Sequence, residues 1–373
     1  MSGPEPGQDP GPGQIPEAEQ IQVAEQITVP GHGLASAPEP RPGLRTFTLE
    51  GRAAPGLFLV GWLAVIMGAA VLIVAAQAGV DRSISIALAL VGFGLLSIGL
   101  IAGAGSQAME RKARAAAAGS VRATTTSGDS GPDAAIGYTG PSPFLVFAAA
   151  FVLSVLVISL IGGPLVALGL DPQGPAGILL AVVIQGLIYL ALIRLLVVGA
   201  GGLSWRDMGI ADRSTKALAG DIGGGVLLAV PVLFVTALIT LVLVQFLPTP
   251  ASPLPSTGAA TGIALNVLAA VVVAPLGEEL FFRGFATTAW ARSMSPRRAI
   301  VRGAIFFAAI HVLQVGGVDF VDAAGRATVA FVGRLPIALA LGQTFMARRS
   351  IAAPIALHAT FNGLILLAQL STG

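Results

Sequence analysis

Nine stretches of about 20 mostly apolar residues follow one another along this chain, each the length an α-helix needs to cross a bilayer core of about 30 Å. They run Leu57 to Gly79, Ile84 to Ala104, Phe144 to Gly163, Gly177 to Gly199, Ile222 to Phe246, Thr261 to about Gly277, Val301 to about Gly316, Thr328 to Met346 and Ile351 to Gln369. Composition agrees: 54% of the 373 residues are hydrophobic and only 11% are charged, which lies outside the range of soluble domains. The expected fold class is an all-α polytopic membrane protein of about nine transmembrane helices, with the lipid bilayer as its solvent. A formal net charge of +2 gives no reason to expect nucleic acid as a partner. The chain has no cysteine, which removes disulfides, thiolate nucleophiles and cysteine-ligated zinc.

Two polar segments divide the chain. Residues 1–52 are proline-rich, with no aromatic side chain before Phe47, and read as a disordered cytoplasmic tail. Residues 105–142 contain "ERKARAAAAGS" and "TTTSGDSGPD" and read as a polar cytoplasmic linker. Between them, 53–104 is expected to be a two-helix membrane extension, and 143–373 the main domain, a core bundle of about seven helices. "GDSG", residues 128–131, has the GxSG form of rhomboid serine proteases but lacks a partnering histidine, and is read as linker. "AGD", Ala219 to Asp221, lacks the first glycine of the GxGD aspartyl-protease motif.

Arginine and lysine orient the spans, because positively charged loops stay cytoplasmic. Loops on the side of the N-terminal tail carry 17 such residues and the opposite side only Arg82 and Arg326. The expected protein is therefore a multi-pass protein of the cell membrane, with its N terminus in the cytoplasm and its C terminus outside.

Ionisable groups then interrupt three of the apolar runs. A helix rises about 1.5 Å per residue, which places Glu278 roughly 5 Å, His358 roughly 10 Å and His311 roughly 15 Å inside the cytoplasmic edge. These groups define a layer near the cytoplasmic face. In "EELFFR", Glu279 and Arg283 are four apart and suit an ion pair on one helix face, leaving Glu278 without that partner and available as a general base. In "FFAAIH", Phe307 and His311 share a face with Gly303, where a small residue permits close helix approach. In "HATFN", His358 and Asn362 are four apart and project together, as two donors to one developing oxyanion would. Arg194 is expected to snorkel; Arg334 lies deeper, and would pair with a carboxylate or face a cavity.

These three stretches resemble the motifs EExxxR, FxxxH and HxxxN of the CPBP intramembrane proteases, also called the CAAX prenyl endopeptidase type II or Abi family. "LSWRDMGI", Leu203 to Ile210, is similar to a Trp-containing cytoplasmic turn of that family, so the resemblance covers roughly Pro143 to Gly373. It implies that Glu278 activates water with help from His311, and that His358 and Asn362 stabilise the oxyanion. Glu279, Arg283 and Phe307 support the site structurally. Zinc on His311, His358 and a glutamate is conceivable, but the chain has no HExxH; the expectation is a metal-free site with no cofactor.

The expected function is an intramembrane endopeptidase that cuts a membrane-bound, C-terminally prenylated or other, protein or peptide. The alternative is a non-catalytic scaffold or immunity-type protein of the same fold. The intact set Glu278, His311, His358 and Asn362 favours the protease, because a scaffold needs none of it.

Overall fold

The computed structural model describes residues 49, 52–75, 81–125, 137–252, 254–313 and 315–372, with the side chains of 118–125 and 372 left out. Among the described residues it is all helix and turn, in nine helices: α1 Pro55–Ala75, α2 Arg82–Thr125, α3 Pro143–Ala167, α4 Pro175–Val198, α5 Thr215–Leu243, α6 Ala260–Ala291, α7 Pro296–Val312, α8 Phe320–Arg348 and α9 Ala352–Thr372. The expected disordered tail, apart from Leu49 and Arg52, lies outside the described residues, as do His32 and "GDSG".

Local chemistry sets the ends of these helices. Pro143, Pro175 and Pro296 stand in the first turns of α3, α4 and α7, where a missing N–H costs nothing. The Ser214 side chain caps α5 by accepting from the Ala217 N–H, and that of Asp319 caps α8 by accepting from the Asp322 N–H.

Several helices differ from the sequence expectation, among them α2, α6 and α7. α2 is 44 residues long, so the first half of the expected polar linker continues a membrane helix; "ERKARAAAA" contains no helix breaker, and its alanines favour the helix. α6 does not stop near Gly277 but runs on to Ala291, because the charges that marked an apparent membrane edge neutralise one another inside the protein. Glu278 consequently lies about 20 Å from the Ala291 end, deeper than its sequence position suggested. Eight of the nine helices are long and apolar enough to cross a membrane. The other, α7, has 17 residues, about 25 Å, short of the roughly 30 Å core.

α6 is the centre of the molecule. Every residue from Phe281 to Trp290 is buried, which requires neighbours on all sides. Tyr189 of α4, Phe147 of α3 and Phe306 and Phe307 of α7 pack against Phe281 and Phe282 with ring centroids 4.6 to 6.3 Å apart. α4 reaches α6 at Gly186, whose Cα would lie 3.1 Å from a Cβ placed on Gly277. At Gly303 the same construction meets Thr287 Oγ1 at 2.7 Å, the close approach of α7 that its sequence implied. α1 and α2 pair through glycines in the same way: a Cβ on Gly68 would fall 2.8 Å from the Gly92 carbonyl oxygen. The outer faces are apolar and exposed, as at Leu227 and Phe234 of α5. Lipid is the solvent that suits them.

Candidate active site

The second glutamate of "GEEL" anchors a buried network. Glu279 is fully buried, and its Oε1 accepts from Arg283 Nη1 at 2.9 Å and from His358 Nδ1 at 2.8 Å. Arg283 also donates from Nη2 to the Ala338 carbonyl on α8 at 3.3 Å, and its guanidinium lies 4.3 Å from the centroid of the Phe307 ring. One carboxylate and one guanidinium thus tie α6, α7, α8 and α9 together. The expected Glu279–Arg283 pair is present, and His358 is added to it. Breaking such a pair strands a charge, so the network holds these helices in one arrangement.

Glu278 points elsewhere. Its Oε2 stands 3.9 Å from His311 Nε2 and 4.0 Å from His358 Nε2, beyond direct hydrogen-bond reach. The other nitrogen of each ring is committed: His311 Nδ1 lies 2.7 Å from the Phe307 carbonyl oxygen and His358 Nδ1 is on Glu279. A carbonyl oxygen only accepts, so Nδ1 of His311 carries the hydrogen, and Nε2 of the neutral ring presents a lone pair towards Glu278. Phe307 sits between the rings, with centroids 4.5 Å from His311 and 5.9 Å from His358. The three groups that the sequence put in one layer meet at one point.

Asn362 departs from its expected pose. Its Nδ2 donates to the Ala270 carbonyl of α6 at 2.8 Å, while His358, one turn earlier, reaches Glu279. Local backbone chemistry explains this. α6 is π-helical at Leu268–Val273, and there the Ala274 N–H bonds to the Ala269 carbonyl. In that register the Ala270 carbonyl should receive the N–H of residue 275, which is a proline and has none. Asn362 supplies the missing donor.

We expect Asn362→Ala to lower stability by about 1 kcal/mol, the usual cost of an unmet carbonyl. Pro275→Ala added to it should restore the loss by returning a backbone N–H. A double variant no more stable than Asn362→Ala in thermal unfolding would contradict this role.

Other groups could not be located from sequence. Tyr189 is buried on α4 within electrostatic reach of Glu278, and its hydroxyl accepts from Gln185 Nε2 at 3.1 Å; a single tyrosine in an apolar run carries no pattern that marks it. "LSWRDMGI" forms a turn braced by residues just beyond the end of α6 and just before the start of α9. Asp207 takes hydrogen bonds from the Ser204 backbone and hydroxyl and pairs with Arg292 at 2.6 Å, and the Gly209 carbonyl accepts from the Ile351 N–H. Burial pushes Asp207 up, but Ser204 and Arg292 together hold its carboxyl below the usual carboxylate range. Gly209 adopts φ 78°, the left-handed conformation that glycine tolerates. Asp221 of "AGD" is 3.0 Å from Arg213. Arg334 donates to the Ala330 carbonyl of its own helix at 3.1 Å. Among the described residues, no three or more histidine, aspartate or glutamate side chains are grouped to hold a metal ion.

A helical membrane bundle with a glutamate set against two imidazoles, and a second glutamate neutralised beneath it, defines the class of intramembrane proteins with a buried acid–histidine centre. The segment that builds this centre is also the one that resembles a known family. Residues 260–364 match the Rce1-like model, described as type II CAAX prenyl endopeptidase Rce1-like, which supports the CPBP assignment suggested by the three motifs. The match runs from the start of α6 into α9 and contains all seven motif residues, from Glu278 to Asn362. α1 to α5 and the "LSWRDMGI" turn lie outside it. No curated protein and no solved structure gives a match.

Proposed function

We propose that the protein is an intramembrane endopeptidase that hydrolyses a peptide bond of a membrane-associated protein or peptide using water activated by Glu278. The observation that carries this is the convergence of Glu278 Oε2 on two imidazole Nε2 atoms at 3.9 and 4.0 Å, with each ring's other nitrogen already held. A water among these three atoms loses a proton to Glu278, with the lone pair of His311 orienting it, as its oxygen attacks the scissile carbonyl carbon. His358 is held through Nδ1 by Glu279 and turns Nε2 towards the reacting carbonyl, where an N–H donates to the oxyanion. The Asn362 amide has two N–H groups; one serves Ala270 and the second is left for the same oxyanion. Glu278 then returns its proton to the leaving nitrogen as the C–N bond breaks. The reaction uses no metal or other cofactor. A prenylated substrate is one member of the class this site would accept, and a non-catalytic scaffold has no use for two orientated histidines.

The test is a comparison of membrane-protein termini in cells carrying the wild type or Glu278→Gln. New C-terminal or internal termini should be present in the first and missing from the second; identical sets would reject the protease.

The 17-to-2 charge asymmetry supports a multi-pass protein of the cell membrane with a cytoplasmic N terminus, an outer C terminus and the site opening towards the cytoplasm. Gly258 and Ser293 flank α6 in this naturally cysteine-free chain. A cysteine at Gly258 should react with an impermeant reagent applied outside intact cells, and one at Ser293 should not. The reverse labelling would turn the protein over.

A further inference from the structure

A groove of about 770 Å³ opens between the start of α3 and the length of α7, away from the candidate active site. Its two ends differ in chemistry. Arg297, Arg298 and Arg302 stand at the N-terminal end of α7, and beyond them Ile305, Phe306 and Ala309 line the apolar end. From Arg297 to Ala309 α7 rises about 18 Å. The groove is therefore cationic at one end and apolar along the rest, parallel to a helix of the bundle.

The three arginines are exposed, and among the described residues none of them makes an ion pair. Arg302 is held in place by two rings, with its guanidinium 5.0 Å from the centroids of both Phe144 and Trp290. Phe144 in turn meets Phe306 edge to face at 4.8 Å, so the wall between the charged and apolar ends is built and not a loose surface. A ligand that complements this shape has an anionic head and a long apolar tail lying along the helix.

We propose that this groove binds one anionic phospholipid, its phosphate on Arg297 and Arg298 and an acyl chain along Ile305, Phe306 and Ala309. The arrangement favours lipid over a soluble anion because the apolar end is continuous with the charged one. It favours lipid over a partner helix because the cations are gathered at one end. The site is independent of the peptidase reading, since its lining does not include Glu278, His311 or His358.

Native mass spectrometry of the purified full-length protein, titrated with phosphatidylglycerol or with phosphatidylcholine of the same acyl chains, tests it. Each arginine at an anionic headgroup is worth about a kilocalorie, so wild type should retain one phosphatidylglycerol with a preference of about 10-fold or more. Arg297→Gln with Arg298→Gln should reduce the preference to about 2-fold or less, and the same pair changed to lysine should keep it. Ala309→Phe, which fills the apolar end without touching an arginine, should weaken binding of phosphatidylglycerol. Glycerol phosphate, a headgroup without chains, should not compete. Equal retention of the two lipids, a preference that survives the double glutamine variant, unchanged binding by Ala309→Phe, or full competition by glycerol phosphate would each overturn the proposal.

Discussion

Glu278→Gln should leave a folded protein that no longer cleaves. Glutamine keeps the shape and fills the same space opposite His311 and His358, but it cannot take a proton from water, so turnover should fall by roughly 100- to 10,000-fold. Glu278 has no part in the buried ion pair, and its oxygens lie 3.9 Å or more from the histidine nitrogens. Thermal unfolding of the variant should therefore match wild type. Retained activity in purified Glu278→Gln would remove the proposed base. The same assay addresses metal chemistry: a chelator should leave wild-type turnover unchanged, whereas inhibition reversed by added zinc would make His311 and His358 ligands.

Its neighbour should behave in the opposite way. Glu279 is fully buried, and one of its oxygens carries both Arg283 and His358. Glu279→Gln removes the negative charge while Arg283 stays buried among Phe307 and the α8 backbone. Stranding a buried charge costs about 3 to 5 kcal/mol, enough to lower the melting temperature by several degrees and the yield of membrane-inserted protein. Arg283→Met should be harmful for the mirror reason. Replacing both partners together should be milder than either single change, because no lone charge remains. A Glu279→Gln protein as stable as wild type would show that the network does not hold α6, α7, α8 and α9 as described. The two adjacent glutamates thus separate by experiment, with activity lost at one and stability at the other.

Much of the site was legible because helical spacing is regular. Glu279 and Arg283, four apart, pair as expected, and His311 and His358, from separate apolar runs, do converge on Glu278. Spacing along one helix does not show what the facing helix demands. His358 and Asn362 are also four apart, but they serve different acceptors, since a π turn and Pro275 together leave the Ala270 carbonyl in need of a donor. Nothing in "LAAVVVAP" announces a π turn, because residue type barely distinguishes the two registers. The length of α6 is hidden for a related reason. Charges in a sequence look like a membrane edge, but paired charges can lie inside. Tyr189 and the Asp207–Arg292 brace depend on contacts between distant segments, which periodicity along one helix does not encode.

Each π turn holds one residue more than the α turn it replaces. Losing a codon within Leu268–Val273 would let that turn relax to α geometry while Glu278 keeps its direction. A codon lost elsewhere between Ala260 and Glu278 would swing the carboxylate by about 100° and away from both histidines. Over many generations α6 can therefore vary in length at this point and stay silent about it at the reacting centre. The compensating amide on α9 is tied to the same history. The residue at 362, the proline at 275 and the number of residues in this turn should be inherited as a set, changing together or not at all.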